Sequence, residues 1–192
     1  MHTGVSWYIG CPNSGKTTLA RAHAIAAAAA NSWPILVVDT EGVAQLAGFP
    51  HARTVGQAVD WVWTRRQSCA FTPRGDDDLE ALVRAARKPG RLNLFIDEAH
   101  AWLSARSAAS DSMIRLMRAH RHSKLRIFLT TQHLSGDIPQ AALACSPELF
   151  VFRCTSPATL DRLRSHLGLC GTCVSKYAQF EYLRVFEGFE TH

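Results

Sequence analysis

An α/β sandwich on a mainly parallel sheet is the fold class that this sequence predicts, and three observations predict it. Short apolar runs recur along the chain with stretches of helical spacing between them. Several of the runs are continuously apolar, the pattern of parallel strands buried on both faces. The first run leads through a glycine-bearing turn straight into a helix-forming stretch, a strand–turn–helix unit. With 192 residues and 47% apolar content there is material for one sizeable core. Residues 1–192 are therefore expected to form one domain, with its core over about 5–167 and a C-terminal extension over about 168–192.

The elements follow in order. Residues 5–9 read as a short buried strand, "GCPNSGKTT" as the turn, and the alanine-rich stretch 19–30 as a helix packed closely on the sheet. "WPILVVDTEG" is a second buried strand ending on Asp39, residues 53–55 a further short strand, and residues 57–66 a helix. Asp76, Asp77 and Asp78 place carboxylates at the start of a helix whose apolar stripe is Leu79, Leu82, Val83 and Ala86 and which stops at Lys88, Pro89 and Gly90. "LNLFIDEAH" is a strand ending on Asp97 and Glu98, and residues 111–121 are a helix with Met113, Ile114 and Met117 inward. Residues 125–129 and "ELFVFR" are two more strands, and residues 156–167 are a helix opened by a Ser-Pro pair. The tail "YAQFEYLRVFEGF" alternates loosely, as an edge hairpin would.

Composition narrows the function classes. No apolar run approaches the roughly 18 residues of a membrane span, and no secretory leader pattern is seen, so a soluble protein with no membrane span of its own is expected. Six scattered cysteines in a chain that can bury a core indicate reduced thiols rather than a disulfide framework. Cys170 and Cys173 have metal-ligand spacing but make only half of a zinc site; His166 and Cys154 are the residues available to complete it. The net charge of +5 is compatible with an anionic partner such as nucleic acid. Trp7, Trp33 and Trp61 lie in apolar contexts and read as core or subunit-contact residues rather than base-stacking platforms.

The segment Gly10, Cys11, Pro12, Asn13, Ser14, Gly15, Lys16, Thr17 has the spacing Gly, four residues, Gly, Lys, Thr of a P-loop, and Thr18 continues it into the helix. Glycines let the backbone curl so that successive N–H groups point at phosphate oxygens, and the helix start directs its positive end at the same anion. Lys16 would bridge the β- and γ-phosphates of ATP, Thr17 would hold Mg²⁺, and Cys11 would present only its backbone. The predicted fold is thus a P-loop NTPase three-layer αβα sandwich. "LFIDEAH" supplies the acids: Asp97, on a strand expected beside the P-loop strand, would hold the magnesium, and Glu98 would polarise the attacking water. The letters Asp-Glu-Ala-His also match a helicase box, but 192 residues cannot hold two tandem motor lobes.

"HRHSKLRIFLTTQ", residues 120–132, crowds cations at one end of a strand and sets an amide, Gln132, at the other. Beside the strand carrying Asp97, that amide can donate to a γ-phosphate and accept from the attacking water; on its residues alone it can equally cap the strand. Arg118, Arg121, Lys124 and Arg126 fall about 20 Å away, at about 3.3 Å per strand residue, out of reach of their own nucleotide. They read either as a solvated basic edge or as the source of an arginine finger acting on a neighbouring subunit.

Taken together, "GCPNSGKT", "VVDTEG", "LFIDEAH", "RHSKLRIFLTTQHLSGDIP" and "LFVFRCTSPATLDRL" resemble the FtsK/HerA superfamily of hexameric DNA-pumping ATPases, over about Trp7 to Leu167. The resemblance implies ATP and Mg²⁺ as cofactors, a ring-shaped homo-oligomer, Gln132 as the sensor, and Arg121, eleven residues before it, as the finger. The small size is most similar to the genome-packaging ATPases of tailless icosahedral, membrane-containing double-stranded DNA viruses. That implies double-stranded DNA held through its phosphates, a capsid vertex protein as a docking partner, and a location in the host cytoplasm or at the virion's packaging vertex. Two features depart from the pattern: the loop is filled by Cys-Pro-Asn-Ser, and Thr131 and His133 stand where Arg-Pro often follows the glutamine. "HRHSKLRIFLTTQ" also resembles the Zot-like morphogenesis ATPases of filamentous phages. A P-loop switch or scaffold that binds ATP without pumping is the third reading.

Overall fold

The computed structural model describes residues 4–40, 48–87, 90–103, 108–134, 138–146, 148–168 and 170–186. Eight strands form one sheet: β1 (Gly4–Ile9), β2 (Ile35–Asp39), β3 (His51–Ala52), β4 (Cys69–Phe71), β5 (Leu92–Asp97), β6 (Leu125–Thr131), β7 (Glu148–Phe152) and β8 (Tyr182–Phe186). Their order across the sheet is β3-β4-β2-β5-β6-β1-β7-β8, parallel throughout except for β8, which runs antiparallel to β7. Because every crossover between parallel strands returns to the same edge, the C-terminal ends of β1, β5 and β6 open on one side of the sheet.

The helices are α1 (Lys16–Asn31), α2 (Val55–Val59), α3 (Asp76–Ala86), α4 (Ala108–Ala119), α5 (Gln140–Ala144), α6 (Pro157–Leu167) and α7 (Gly171–Val174). They cover the two faces unequally. One face packs Val5, Trp7, Ile9, Leu94, Ile96, Ile127 and Leu129 against Leu82 and Val83 of α3 and Met113, Ile114 and Met117 of α4. The other packs Tyr8, Phe95, Phe128, Phe150 and Phe152 against Ala20, Ala24 and Ala27 of α1. Small side chains on the helix and large rings on the sheet interdigitate, which brings α1 close to the sheet and explains why an alanine run is used there. The expected three layers and the expected apolar stripes of α3 and α4 are present.

Several expectations change. Residues 53–55 are not a strand: the strand is His51–Ala52, and the Thr54 hydroxyl caps α2 by accepting from the Gln57 N–H at 3.2 Å. The helix expected over 57–66 begins at Val55 and widens into a π-helical turn over Asp60–Thr64. Among the described residues the tail forms no hairpin of its own; β8 pairs with β7 instead, so the antiparallel partner comes from the core. Most consequential, β5 does not lie beside β1. β6 is inserted between them. The expected helix stop at Lys88 and Pro89, and Glu41 and Gly42 of "VVDTEG", lie outside the described residues.

Candidate active site: a phosphate loop facing a carboxylate pair

β1 ends at Ile9 and residues 10–15 turn back into α1. The turn is tied to both neighbouring strands: the Gly10 N–H donates to the Thr131 carbonyl at 3.1 Å and the Cys11 N–H to the Arg153 carbonyl at 2.8 Å. Gly10 is required by contact, since a Cβ there would lie 2.7 Å from Phe152 Cβ. Gly15 is required by conformation, with φ +99 in the left-handed region. No side chain caps the start of α1, so the N–H groups of its first turn face the loop. The Ser14 hydroxyl is buried in the loop without a hydrogen-bond partner among the described residues. Free helix N–H groups, a glycine-lined turn and an orphaned hydroxyl form a cradle that suits phosphate oxygens.

The acids arrive from β5. Asp97 Oδ1 accepts from the Thr130 hydroxyl at 2.5 Å and from the Thr17 hydroxyl at 3.2 Å, while the Thr40 hydroxyl donates to the Asp97 carbonyl at 2.9 Å. Burial pushes the Asp97 carboxyl up, with the Thr130 hydrogen bond opposing it. Register explains the contact: Ile96 pairs with Leu129, so Thr130 stands directly beside Asp97. Thr17 Oγ1 and the Asp97 carboxylate present oxygen ligands of the kind a hard cation such as Mg²⁺ takes.

Glu98 leaves the strand in the left-handed region, φ 50 and ψ 54, a conformation that a non-glycine residue keeps only when its surroundings enforce it. They do so here: its N–H donates to the Thr130 hydroxyl at 2.9 Å, and its carboxylate accepts from the Gln132 N–H at 3.0 Å and the Gln132 side-chain amide at 2.9 Å. Lys16 Nζ lies 2.8 Å from Oε1, with both side chains buried. His100 Nδ1 lies 3.3 Å from Oε2. Burial would raise the Glu98 carboxyl; the facing His100, Lys16 and Gln132 overcome it and hold the carboxyl down at about 2. One threonine, Thr130, thus orients both acids.

Residues 7–153 match the ATPase family associated with various cellular activities (AAA). The chain belongs to that family and is an ATPase. By fold, this AAA ATPase is similar to the genome-packaging NTPase B204 of Sulfolobus turreted icosahedral virus 2 in complex with AMP, with a TM-score of 0.78 at 22% identity over 97% of this chain and 94% of that one. The same protein in complex with AMPPCP gives 0.80 at 20% identity, over 96% and 92%. ATPases 2 and 3 of EssC from Geobacillus thermodenitrificans give 0.67 at 11% identity, over 96% of this chain and 38% of that one. None of the curated proteins matches the chain by sequence.

The fold of the AAA ATPase brings together the 10–18 loop, Lys16, Thr17, Asp97, Glu98 and Gln132. It does not bring Arg121 there. Arg121 lies in the turn between α4 and β6, exposed, at the far end of β6 from Gln132 and so about 20 Å from the loop at ~3.3 Å per strand residue. With Arg118, His122 and Cys145 it lines a groove of about 510 Å³ between α4 and α5. Cys170 and Cys173 are exposed whereas Cys154 is buried, and among the described residues no three His, Cys, Asp or Glu side chains gather to hold a metal ion. No helix of the described residues is long and apolar enough to cross a membrane. Sequence reasoning missed Thr40, His100 and Thr130. The alternation of "LTTQ" was a usable signal for Thr130, two residues before Gln132 at the end of β6; for Thr40 and His100 there was none.

Proposed function

We propose that this AAA ATPase is an ATP-driven DNA translocase of the FtsK/HerA type that assembles as a ring, a hexamer, and moves double-stranded DNA into a viral capsid. The observation that carries the reading is the end-to-end likeness in fold to a genome-packaging NTPase, over 97% of this chain and 94% of that one. A capsid vertex protein would dock the ring, which would work in the host cytoplasm or at the packaging vertex.

In this reading the backbone of Gly10 to Thr18 holds the phosphates of ATP and Lys16 bridges the β and γ groups. Thr17 and Asp97 would hold Mg²⁺, which when bound would supply positive charge against the phosphate oxygens. Glu98 orients and polarises the attacking water, and Gln132, bonded to Glu98 by two N–H groups, reports the γ-phosphate to β6. The Lys16–Glu98 pair couples binding to chemistry. Phosphates compete with Glu98 for the Lys16 ammonium; once Lys16 turns to them, the carboxylate loses a cation at 2.8 Å and becomes a better base. The base is therefore activated when there is something to hydrolyse. Arg121, exposed at the end of β6 away from this site, would act in trans, completing the neighbouring subunit's site.

The test is steady-state ATP hydrolysis with and without long double-stranded DNA, with single-stranded DNA as control, over a salt series. Stimulation by duplex, falling steeply with salt and indifferent to sequence, is expected of a motor that grips phosphates. Stimulation by single strands alone would turn the reading toward Zot-like morphogenesis. Hydrolysis indifferent to any DNA would overturn translocation and leave a switch or scaffold.

A further inference from the structure

Phe180 is the most exposed large apolar side chain among the described residues, at 58%, yet it is held firmly beside the phosphate loop. Its N–H donates to the Ser14 carbonyl at 2.9 Å, joining the C-terminal segment to the loop. Its ring lies against Gly15, so that a Cβ on that glycine would stand 2.4 Å from Cδ1 and 2.9 Å from Cε1. Phe180 itself adopts φ +66, an uncommon backbone conformation for an aromatic residue. A tight turn maintains it: the Glu181 N–H donates to the Ala178 carbonyl at 3.2 Å, and the Glu181 carboxylate accepts from the Ala178 N–H at 2.8 Å. The chain thus bears the cost of a strained turn and an exposed ring at one place. Burial does not explain that, because most of the ring remains in water.

Sheet order says what the ring faces. Glu98 and Gln132 stand on the β5 and β6 side of β1, whereas Phe180 leads into β8 and stands on the β7 and β8 side. A triphosphate held with its γ end toward Glu98 must direct its nucleoside the other way across the loop, to the side where the ring is. We infer that Phe180 is the stacking platform for the nucleobase of the bound nucleotide. An aromatic face supplies the apolar, sequence-tolerant attraction that a purine ring needs, and Gly15 serves two purposes, turning the loop and letting the ring approach it. The inference rests on nucleotide binding at this loop and is independent of DNA translocation.

The experiment compares two ligands on the full chain without DNA: ATP, and inorganic tripolyphosphate, which has the phosphates and no base. Binding of both to the unmodified protein, lost in Lys16→Ala, establishes the phosphate site first; failure at that step would count against the nucleotide reading itself. Phe180→Ala is then expected to weaken ATP about tenfold or more while tripolyphosphate binding stays unchanged. Phe180→Trp is expected to keep ATP affinity within about threefold, stacking being preserved, and to add an indole emission, relative to the unmodified protein, that ATP quenches and tripolyphosphate does not. Equal weakening of both ligands in Phe180→Ala would make the ring a structural brace for the loop and overturn the inference. So would an unchanged ATP affinity, or a tryptophan at 180 indifferent to ATP.

Discussion

Replacing Glu98 by glutamine removes one charge of a buried pair and leaves the other, Lys16, in place 2.8 Å away. The carboxyl falls from its ordinary 4.5 to about 2 in the folded chain. A depressed carboxylate contributes stability above its unfolded pKa and loses it as pH falls through the folded value. The window is therefore from about 4.5 down to about 2. A shift of that size corresponds to about 3 kcal/mol at pH 7, the lower end of the ~3–5 kcal/mol that breaking a buried ion pair costs. By pH 3 the carboxyl contribution should have fallen to roughly half. Asp97 next to it is shifted the opposite way by burial, so the unmodified protein's own pH curve mixes two signs. The difference between the two proteins reports Glu98 together with the part of the Asp97 shift that the Glu98 charge causes. Urea unfolding of both at pH 7 and pH 3 measures it. A difference below about 1 kcal/mol at pH 7, or one that does not shrink at pH 3, would refute the view that His100, Lys16 and Gln132 together stabilise the Glu98 carboxylate in the fold. The same variant should lose roughly 10²–10⁴ in turnover. It should also bind ATP more tightly, because Lys16 is freed for the phosphates.

Arg121→Ala should keep nucleotide affinity and lose roughly 10³-fold or more in turnover. Mixing it with Glu98→Gln subunits should restore part of the activity, and absence of rescue in demonstrated mixed assemblies would count against a shared site. Gly15→Ala places a side chain at φ +99 and into the Phe180 ring, so ATP and tripolyphosphate binding should both fall by tenfold or more, read by isothermal titration. Cys170 and Cys173 should divide in reactivity. Its hydrogen bond from Cys173 lowers the Cys170 thiol, so iodoacetamide at about pH 8 should label Cys170 before Cys173, as mapped by mass spectrometry. Cys69 and Cys154, buried and pushed up to about 12, should react only after unfolding.

Much of this molecule could be read from local pattern. The 10–17 spacing encodes a phosphate turn because the turn needs glycines at fixed offsets and a helix start behind it, and both lie within one short stretch. The apolar runs ending on Ile9, Asp39 and Asp97 marked strands because strands buried on both faces need little else. β4 escaped notice for the opposite reason. Its three residues, Cys69–Phe71, are too few to set a period, and all are buried by neighbours distant in sequence. The helix-capping role of Thr54 was misread as part of a strand because threonine suits either context until its hydroxyl has a partner.

The sequence by itself thus determined most of the longer strands and helices, the phosphate loop and the place of Asp97 and Glu98 at the end of a strand. Tertiary structure alone decided their order and register. Continuously apolar strands look alike from inside the chain, so nothing local says that β6 must enter between β1 and β5; long crossovers and the burial of both faces decide it. That insertion sets Thr130 between Asp97 and Glu98 and brings Gln132 onto the carboxylate that Lys16 also holds. It also leaves Arg121 in the turn before that strand, at the end opposite Gln132. The meeting of Phe180 with Gly15 joins residues far apart in the chain, and only the return of β8 along β7 makes it.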